Sequence, residues 1–304
     1  MEYSIIDKKV LSSNNKTLLV GKIYLPKEEI KGYFQVVHGK TEHIARYDSF
    51  MRILAENGYI AFAYDHIGHG RTATSDSELG HFADRNGDEL LAKDVKVFAD
   101  AVREEYGDHP YYLMGHSMGS FVVRRSAQKF ITPDKLIVMG TSGPMPISIM
   151  GVYLAKMVRA IKGPRHYSPL IDSIAFGSYN NRFPKEEGPY AWLTNNAEIR
   201  DAYHNDKFCT FNFSVSAMHD LVYLLYEVNK NEWFENVAKK MPILLVSGAD
   251  DVVGDFGKGV IAVEKKLREN GADVTMKLYE GNRHEILNDN AREECIQDIL
   301  NFIA

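Results

Sequence analysis

Two cysteines in 304 residues, Cys209 and Cys295, are too few for a disulfide framework and fit a reducing compartment, each as a small buried hydrophobe. No apolar run approaches the ~18 residues of a membrane span, so stable membrane insertion is not expected. The first nine residues, Met1 to Lys9, carry acids early and lack the basic-then-apolar layout of a secretory leader. A basic surplus is missing too: 36 Lys+Arg against 41 Asp+Glu leave a net charge of −5, which gives no support to binding a nucleic-acid backbone. Neither an internal repeat nor a low-complexity tract occurs. What remains is a globular chain expected in the cytoplasm, with 45% hydrophobic and 25% charged residues, enough to bury a sizeable core. None of this bears on oligomeric state.

What is present is an alternation. Short β-branched and aromatic runs at Thr17 to Tyr24, Tyr33 to His38, Ile60 to Tyr64, Tyr111 to Met114, Lys135 to Met139, Ile243 to Ser247 and Val274 to Leu278 read as strands. Helical spacing of apolar residues marks Asp48 to Asn57, Asp88 to Tyr106, Ser120 to Phe130, Val260 to Asn270 and Ala291 to Ile303 between or after them. Strands alternating with helices predict an α/β fold, a mostly parallel central sheet with helices on both faces.

The alternation breaks between about Pro144 and Asp206, where six of the ten prolines fall and no buried strand can be read. So long an excursion between core strands is expected to be a mostly helical lid. The predicted division is a core of residues 1–143 and 213–304 with a cap, 144–212, inserted.

Gly115-His116-Ser117-Met118-Gly119 lies directly after one predicted strand and directly before a helix. That is the context of a G-x-S-x-G nucleophile elbow: the turn is so sharp that the serine is strained and its neighbours two residues away must lack bulk. A serine hydroxyl needs a general base, and the base needs a carboxylate to fix its tautomer. In hydrolases with this elbow the chain order is serine, acid, histidine. Asp250 and Asp251 follow the strand ending at Ser247, and His284 sits in the loop after the strand ending at Leu278. Both loops leave the carboxyl ends of strands, where an open α/β sheet places its ligands. Spacing alone leaves Asp250 and Asp251 both open as the acid.

The chain resembles the α/β-hydrolase superfamily, and within it the monoacylglycerol lipase and lysophospholipase group also described as serine aminopeptidase-like hydrolases. The resemblance runs from near Ile30 almost to the C-terminus. It rests on His38-Gly39-Lys40-Thr41-Glu42-His43 with Arg46-Tyr47, Asp65-His66-Ile67-Gly68-His69-Gly70-Arg71, the elbow, Phe176-Gly177-Ser178-Tyr179-Asn180, Asp251-Val252-Val253-Gly254 and Arg283-His284-Glu285. It implies a catalytic triad of Ser117, Asp251 and His284, with Asp251 preferred over Asp250. It also implies an oxyanion hole formed by the backbone N–H groups of Met118 and Lys40. The group often has a small residue where Lys40 stands, and an Arg-Asp pair where Trp192-Leu193-Thr194 is followed here by Asn195-Asn196.

Other apparent motifs fail. Gly39-Lys40-Thr41 lacks the earlier glycine of a phosphate loop, which would fall at Phe34, and in His284-Glu285-Ile286-Leu287-Asn288 an asparagine replaces the second histidine of a zinc-protease helix. His66 and His69 have ligand spacing, but Gly68 and Gly70 make the stretch a turn. No cofactor and no metal are expected. The expected partner is a small ester or lipid substrate, of the monoacylglycerol or lysophospholipid type. Alternatives are a short-chain or aromatic ester, or a peptide amide bound through cap acids such as Glu186, Glu187 and Glu198. A hydrolase-fold receptor without turnover is disfavoured because all three triad residues are present.

Overall fold

The structure is a computed structural model describing residues 2–236 and 238–304. Eight strands form one sheet: β1 (Tyr3–Leu11), β2 (Leu18–Pro26), β3 (Gly32–Val37), β4 (Tyr59–Tyr64), β5 (Tyr111–His116), β6 (Lys135–Met139), β7 (Ile243–Gly248) and β8 (Val274–Tyr279). Their spatial order is β1-β2-β4-β3-β5-β6-β7-β8. β1 with β2 and β2 with β4 pair antiparallel; every other pair is parallel.

Helices cover both faces, and strand side chains alternate between them. Ile60, Phe62 and Tyr64 of β4 face a cluster built on α2 (Gly87–Tyr106), α3 (Met118–Lys129), α7 (Val215–Val228) and α9 (Lys258–Glu269). Tyr59, Ala61 and Ala63 face α1 (Asp48–Glu56) and α10 (Arg292–Ile303). Because both faces are buried, the central strands read as continuous apolar runs rather than polar–apolar alternation.

Between β6 and α7 the chain forms α4 (Ser148–Lys162), α5 (Pro169–Phe176) and α6 (Ala197–Asn205), with no strand among the described residues. A short α8 (Asn231–Asn236) precedes β7.

Besides the short α8, which the sequence reading does not mark, two elements differ from it. β1 was not anticipated: only one side of it is paired, most of its side chains are exposed, and Asp7, Lys8 and Lys9 interrupt its apolar pattern. α7 also carries no clean amphipathic signal, because it is wedged against α2, α3 and α4 and is apolar around much of its girth.

Candidate active site

Ser117 stands between β5 and α3 with φ 55° and ψ −122°, a left-handed backbone that a side-chain-bearing residue adopts only under constraint. The constraint is visible. Its N–H donates to the Met139 carbonyl (3.0 Å), and its own carbonyl accepts from the Ser120 N–H (2.9 Å) and the Ser120 hydroxyl (2.6 Å). A Cβ on Gly115 would lie 2.2 Å from the Gly119 carbonyl oxygen, and one on Gly119 would lie 2.1 Å from that of Val37. Both glycines are therefore required by the close passage of strand, turn and helix.

Asp251, beyond β7, is fully buried. One carboxylate oxygen accepts from the Val253 N–H (2.8 Å); the other accepts from the Ser247 hydroxyl (3.2 Å) and lies 2.9 Å from His284 Nδ1. Asp250 points its side chain to solvent while its N–H donates to the Asn282 carbonyl (2.9 Å). The geometry thus pairs His284 with Asp251. A carboxylate at Nδ1 holds the proton there and leaves Nε2 as the basic nitrogen. That Nε2 is buried and has no hydrogen-bond partner among the described residues, and both His284 and Ser117 line one cavity. The imidazole is packed between the rings of His116 (4.7 Å between centroids) and Trp192 (5.3 Å).

Met118 opens α3, so its N–H belongs to the first helical turn, whose donors have no partner within the helix. Gly39 passes so close to the serine that a Cβ there would sit 2.9 Å from Ser117 Cβ. His38 governs the next peptide. Its Nε2 accepts from the His66 N–H (2.9 Å), so Nδ1 carries the proton and donates to the Gly39 carbonyl (2.9 Å). In a trans peptide the C=O and the following N–H point in opposite directions, so fixing the Gly39 carbonyl also fixes the Lys40 N–H. Burial pushes His38 and His69 well below the usual imidazole value and His66 down to about 3, which keeps the acceptor on His38 available.

A second network lies beneath. Glu42 accepts from the Gly39 N–H and the Tyr47 hydroxyl (2.9 Å), and pairs with His116 (3.1 Å) and Arg46 (3.7 Å). Burial alone would raise the Glu42 carboxyl, but the His116 bond and the Arg46 guanidinium hold it well below the usual range. Burial likewise opposes charge on His116, yet Glu42 raises its pKa above the usual imidazole value. His116 Nε2 then faces the His284 carbonyl at 3.2 Å, while Arg46 pairs with Glu285. His38, Glu42, Arg46, His116 and Glu285 are all in stretches that carried the resemblance, but their spacing gave no hint that they brace the backbone on both sides of Ser117. Asp65 plays a local part: it accepts from the N–H groups of Ile44 (2.9 Å) and Arg71 (2.7 Å) and fills the space a Cβ on Gly70 would need.

The cavity has a volume of about 1380 Å³ and a largely apolar lining that includes Met150, Leu154, Ile171 and Phe176 from residues 144–212. Lys40 also lines it, with its ammonium over the rings of Phe176 and Phe213. Asn195 and Asn196, which replace the group's Arg-Asp pair, are structural. Asn195 binds the Asp289 carboxylate (3.1 Å) and the Gly281 carbonyl (2.8 Å), and Asn196 caps α6 by accepting from Glu198 N–H (3.0 Å). Among the described residues, His43, Asp206 and Cys209 have ligand-type atoms within 4.8 Å of one another. There His43 Nε2 already bonds Asp206 (2.8 Å), and the positive field of Arg46 reaches Cys209 and Asp206. No described helix is long and apolar enough to cross a membrane.

A family model described as serine aminopeptidase, S33, matches residues 28–291. The chain belongs to this family. Among curated members it is similar to the monoglyceride lipase of Mus musculus, 25% identical over 86% of this chain and 78% of that one. It is also similar to the monoacylglycerol lipase of Mycolicibacterium smegmatis, 23% identical over 94% and 92%. Among solved structures, a thermostable carboxyl esterase from Bacillus coagulans in complex with glycerol superposes with a TM-score of 0.93 at 31% identity, covering 99% of this chain and 98% of that one. A soluble variant of the monoglyceride lipase of Saccharomyces cerevisiae, TM-score 0.74 at 20% identity over 99% and 94%, shares the fold. The α/β-hydrolase architecture of the S33 family thus extends over the whole chain.

Proposed function

We propose that the protein hydrolyses carboxylic esters, of the monoacylglycerol type, through Ser117, His284 and Asp251. The observation that carries this reading is the conjunction at one cavity of a strained serine between strand and helix and a buried His284–Asp251 pair with an open Nε2. The names of its S33-family relatives, lipases and a carboxyl esterase, support it.

In the proposed cycle Ser117 Oγ attacks the ester carbonyl carbon while His284 Nε2 takes the hydroxyl proton. The oxyanion receives hydrogen bonds from the Met118 and Lys40 N–H groups, donors of a kind worth ~10²–10³ in rate each. Collapse breaks the ester C–O bond, and His284 returns its proton to the departing alcohol. Water then loses a proton to His284 and attacks the acyl-serine carbonyl; collapse breaks the bond between the acyl carbon and Ser117 Oγ, His284 returns the proton to Oγ, and the acid is released. Residues 144–212 act as a cap that supplies the acyl wall of the cavity, with the core in residues 1–143 and 213–304. An apolar cavity of this kind suits an acyl chain.

Amide substrates with a free amine are less well served. Glu187 is engaged by Arg283 and Arg200, Glu186 and Glu198 are exposed, and none of the three lines the cavity. The test is turnover of p-nitrophenyl butyrate and 1-acylglycerols by wild type and Ser117→Ala. Loss of at least about 10³-fold is expected in the variant; near wild-type turnover would overturn the assignment.

A further inference from the structure

The cavity holds a cation that ester hydrolysis as derived does not use. Lys40 leaves the chain beside Ser117, and its Nζ lies 4.3 Å from the centroid of the Phe176 ring and 4.9 Å from that of Phe213. Ring faces attract an ammonium but offer no lone pair to its three N–H donors. Among the described residues no carboxylate forms an ion pair with it; Asp172, on α5, acts on it only through space. The other charges lining the cavity are otherwise placed: Glu42 and Glu285 are engaged by Arg46, and Asp255, Arg182 and Lys258 are exposed. Removal of water around the Lys40 amine lowers its pKa to about 8, so it is still charged at pH 7.

Lys40 is half-buried on the cavity wall, and its ammonium, with no acceptor from the described residues, is left to draw one from whatever enters the cavity. The main-chain donors of Lys40 and Met118 take the ester carbonyl oxygen, and a neutral hydroxyl on the substrate accepts a hydrogen bond without offsetting the ammonium's charge, whereas an anion does both. We propose that Lys40, framed by Phe176 and Phe213, is an anion subsite, and that the preferred substrates are esters bearing a carboxylate or phosphate in addition to the scissile group. The two aromatic rings hold the ammonium in place without neutralising it, and the anion completes its coordination within one lysine side chain of the reacting carbonyl. This rests on the reading of Ser117 as the nucleophile.

Two matched pairs of substrates test it. One pair is p-nitrophenyl hexanoate and the p-nitrophenyl monoester of hexanedioic acid, which places a carboxylate on the acyl chain. The other is 1-hexanoylglycerol and 1-hexanoylglycerol 3-phosphate, which places a phosphate on the alcohol. For each pair the ratio of kcat/KM, charged over neutral, is measured for wild type, Lys40→Met and Lys40→Arg, so that any disturbance of the oxyanion hole cancels. In at least one pair the ratio should fall about tenfold or more in Lys40→Met and return in Lys40→Arg. The pair that responds identifies the side of the ester on which the anion sits. Ratios unchanged by Lys40→Met in both pairs, or wild-type enzyme that hydrolyses only the neutral members, would overturn the subsite while leaving the ester hydrolase intact. Failure of wild type on all four esters would instead overturn the reading beneath it.

Discussion

Residues 187–212 and residues 144–176 belong to one excursion from the sheet, yet they are held in different ways. The later stretch is tied to the core by directed polar bonds. Arg283 donates to the Ala191 carbonyl (2.7 Å) and pairs with Glu187, the Glu285 N–H donates to Leu193 (2.8 Å), Thr194 donates to the Asn288 carbonyl (2.8 Å), and the Tyr203 hydroxyl meets Thr41 (2.9 Å). The earlier stretch has directed bonds mainly at its middle, where the His166 and Pro164 carbonyls accept from the Val215 (2.7 Å) and Ser216 (3.2 Å) N–H groups; α4 packs along α7 and leaves apolar side chains in solvent, Ile147 and Met150 each 66% exposed and Ile161 73% exposed. Polar ties fix an orientation, whereas apolar packing tolerates sliding. Three of these bonds converge on Arg283 and Glu285, the two neighbours of His284, so the more firmly tied part of the excursion is the part packed about that histidine. The earlier stretch lines the cavity with Met150, Leu154 and Ile171.

Six substitutions can break this contrast. The largest effect belongs to the pair the more firmly tied half surrounds: Asp251→Asn should lower kcat on p-nitrophenyl butyrate by about 10⁴-fold, whereas Asp250→Asn, whose side chain is exposed, should stay within about threefold. Equal losses would place the acid elsewhere. Next comes Arg283→Met, which removes one of the two cations on Glu187 and the side-chain donor to the Ala191 carbonyl; a stability loss of about 1–3 kcal/mol is expected from denaturant midpoints, with reduced turnover. Tyr203→Phe removes one hydroxyl from its Thr41 partners and should cost about 1–2 kcal/mol. Smallest of all, Met150→Gln and Ile161→Gln, among the exposed apolar side chains, should shift stability by no more than about 0.5 kcal/mol. Either of these as damaging as Arg283→Met would erase the distinction between the two halves.

The sequence was most legible where local chemistry is dense. Gly115 to Gly119 between strand and helix marked the elbow, and the apolar runs at Ile60 and Ile243 marked doubly covered strands, because burial on both faces leaves no polar alternation. Legibility failed where one partner lies far away. Nothing near Arg46 announces Glu285, 239 residues on, and nothing near His38 announces that its ring orients the next peptide through His66. The two asparagines at 195 and 196 read only as departures from a family pattern; their partners, Asp289 and the first turn of α6, exist only in the fold. β1 escaped for the opposite reason, as an edge strand whose exposed side chains need no pattern at all.

The central claim is that Ser117 is a nucleophile activated by His284. It is tested most directly by treating the protein with a fluorophosphonate probe and locating the adduct by peptide mass spectrometry. The account predicts one adduct, on Ser117, formed rapidly by wild type and at least about 10³-fold more slowly by His284→Ala. An adduct on another residue, or labelling of Ser117 that is indifferent to His284, would contradict it.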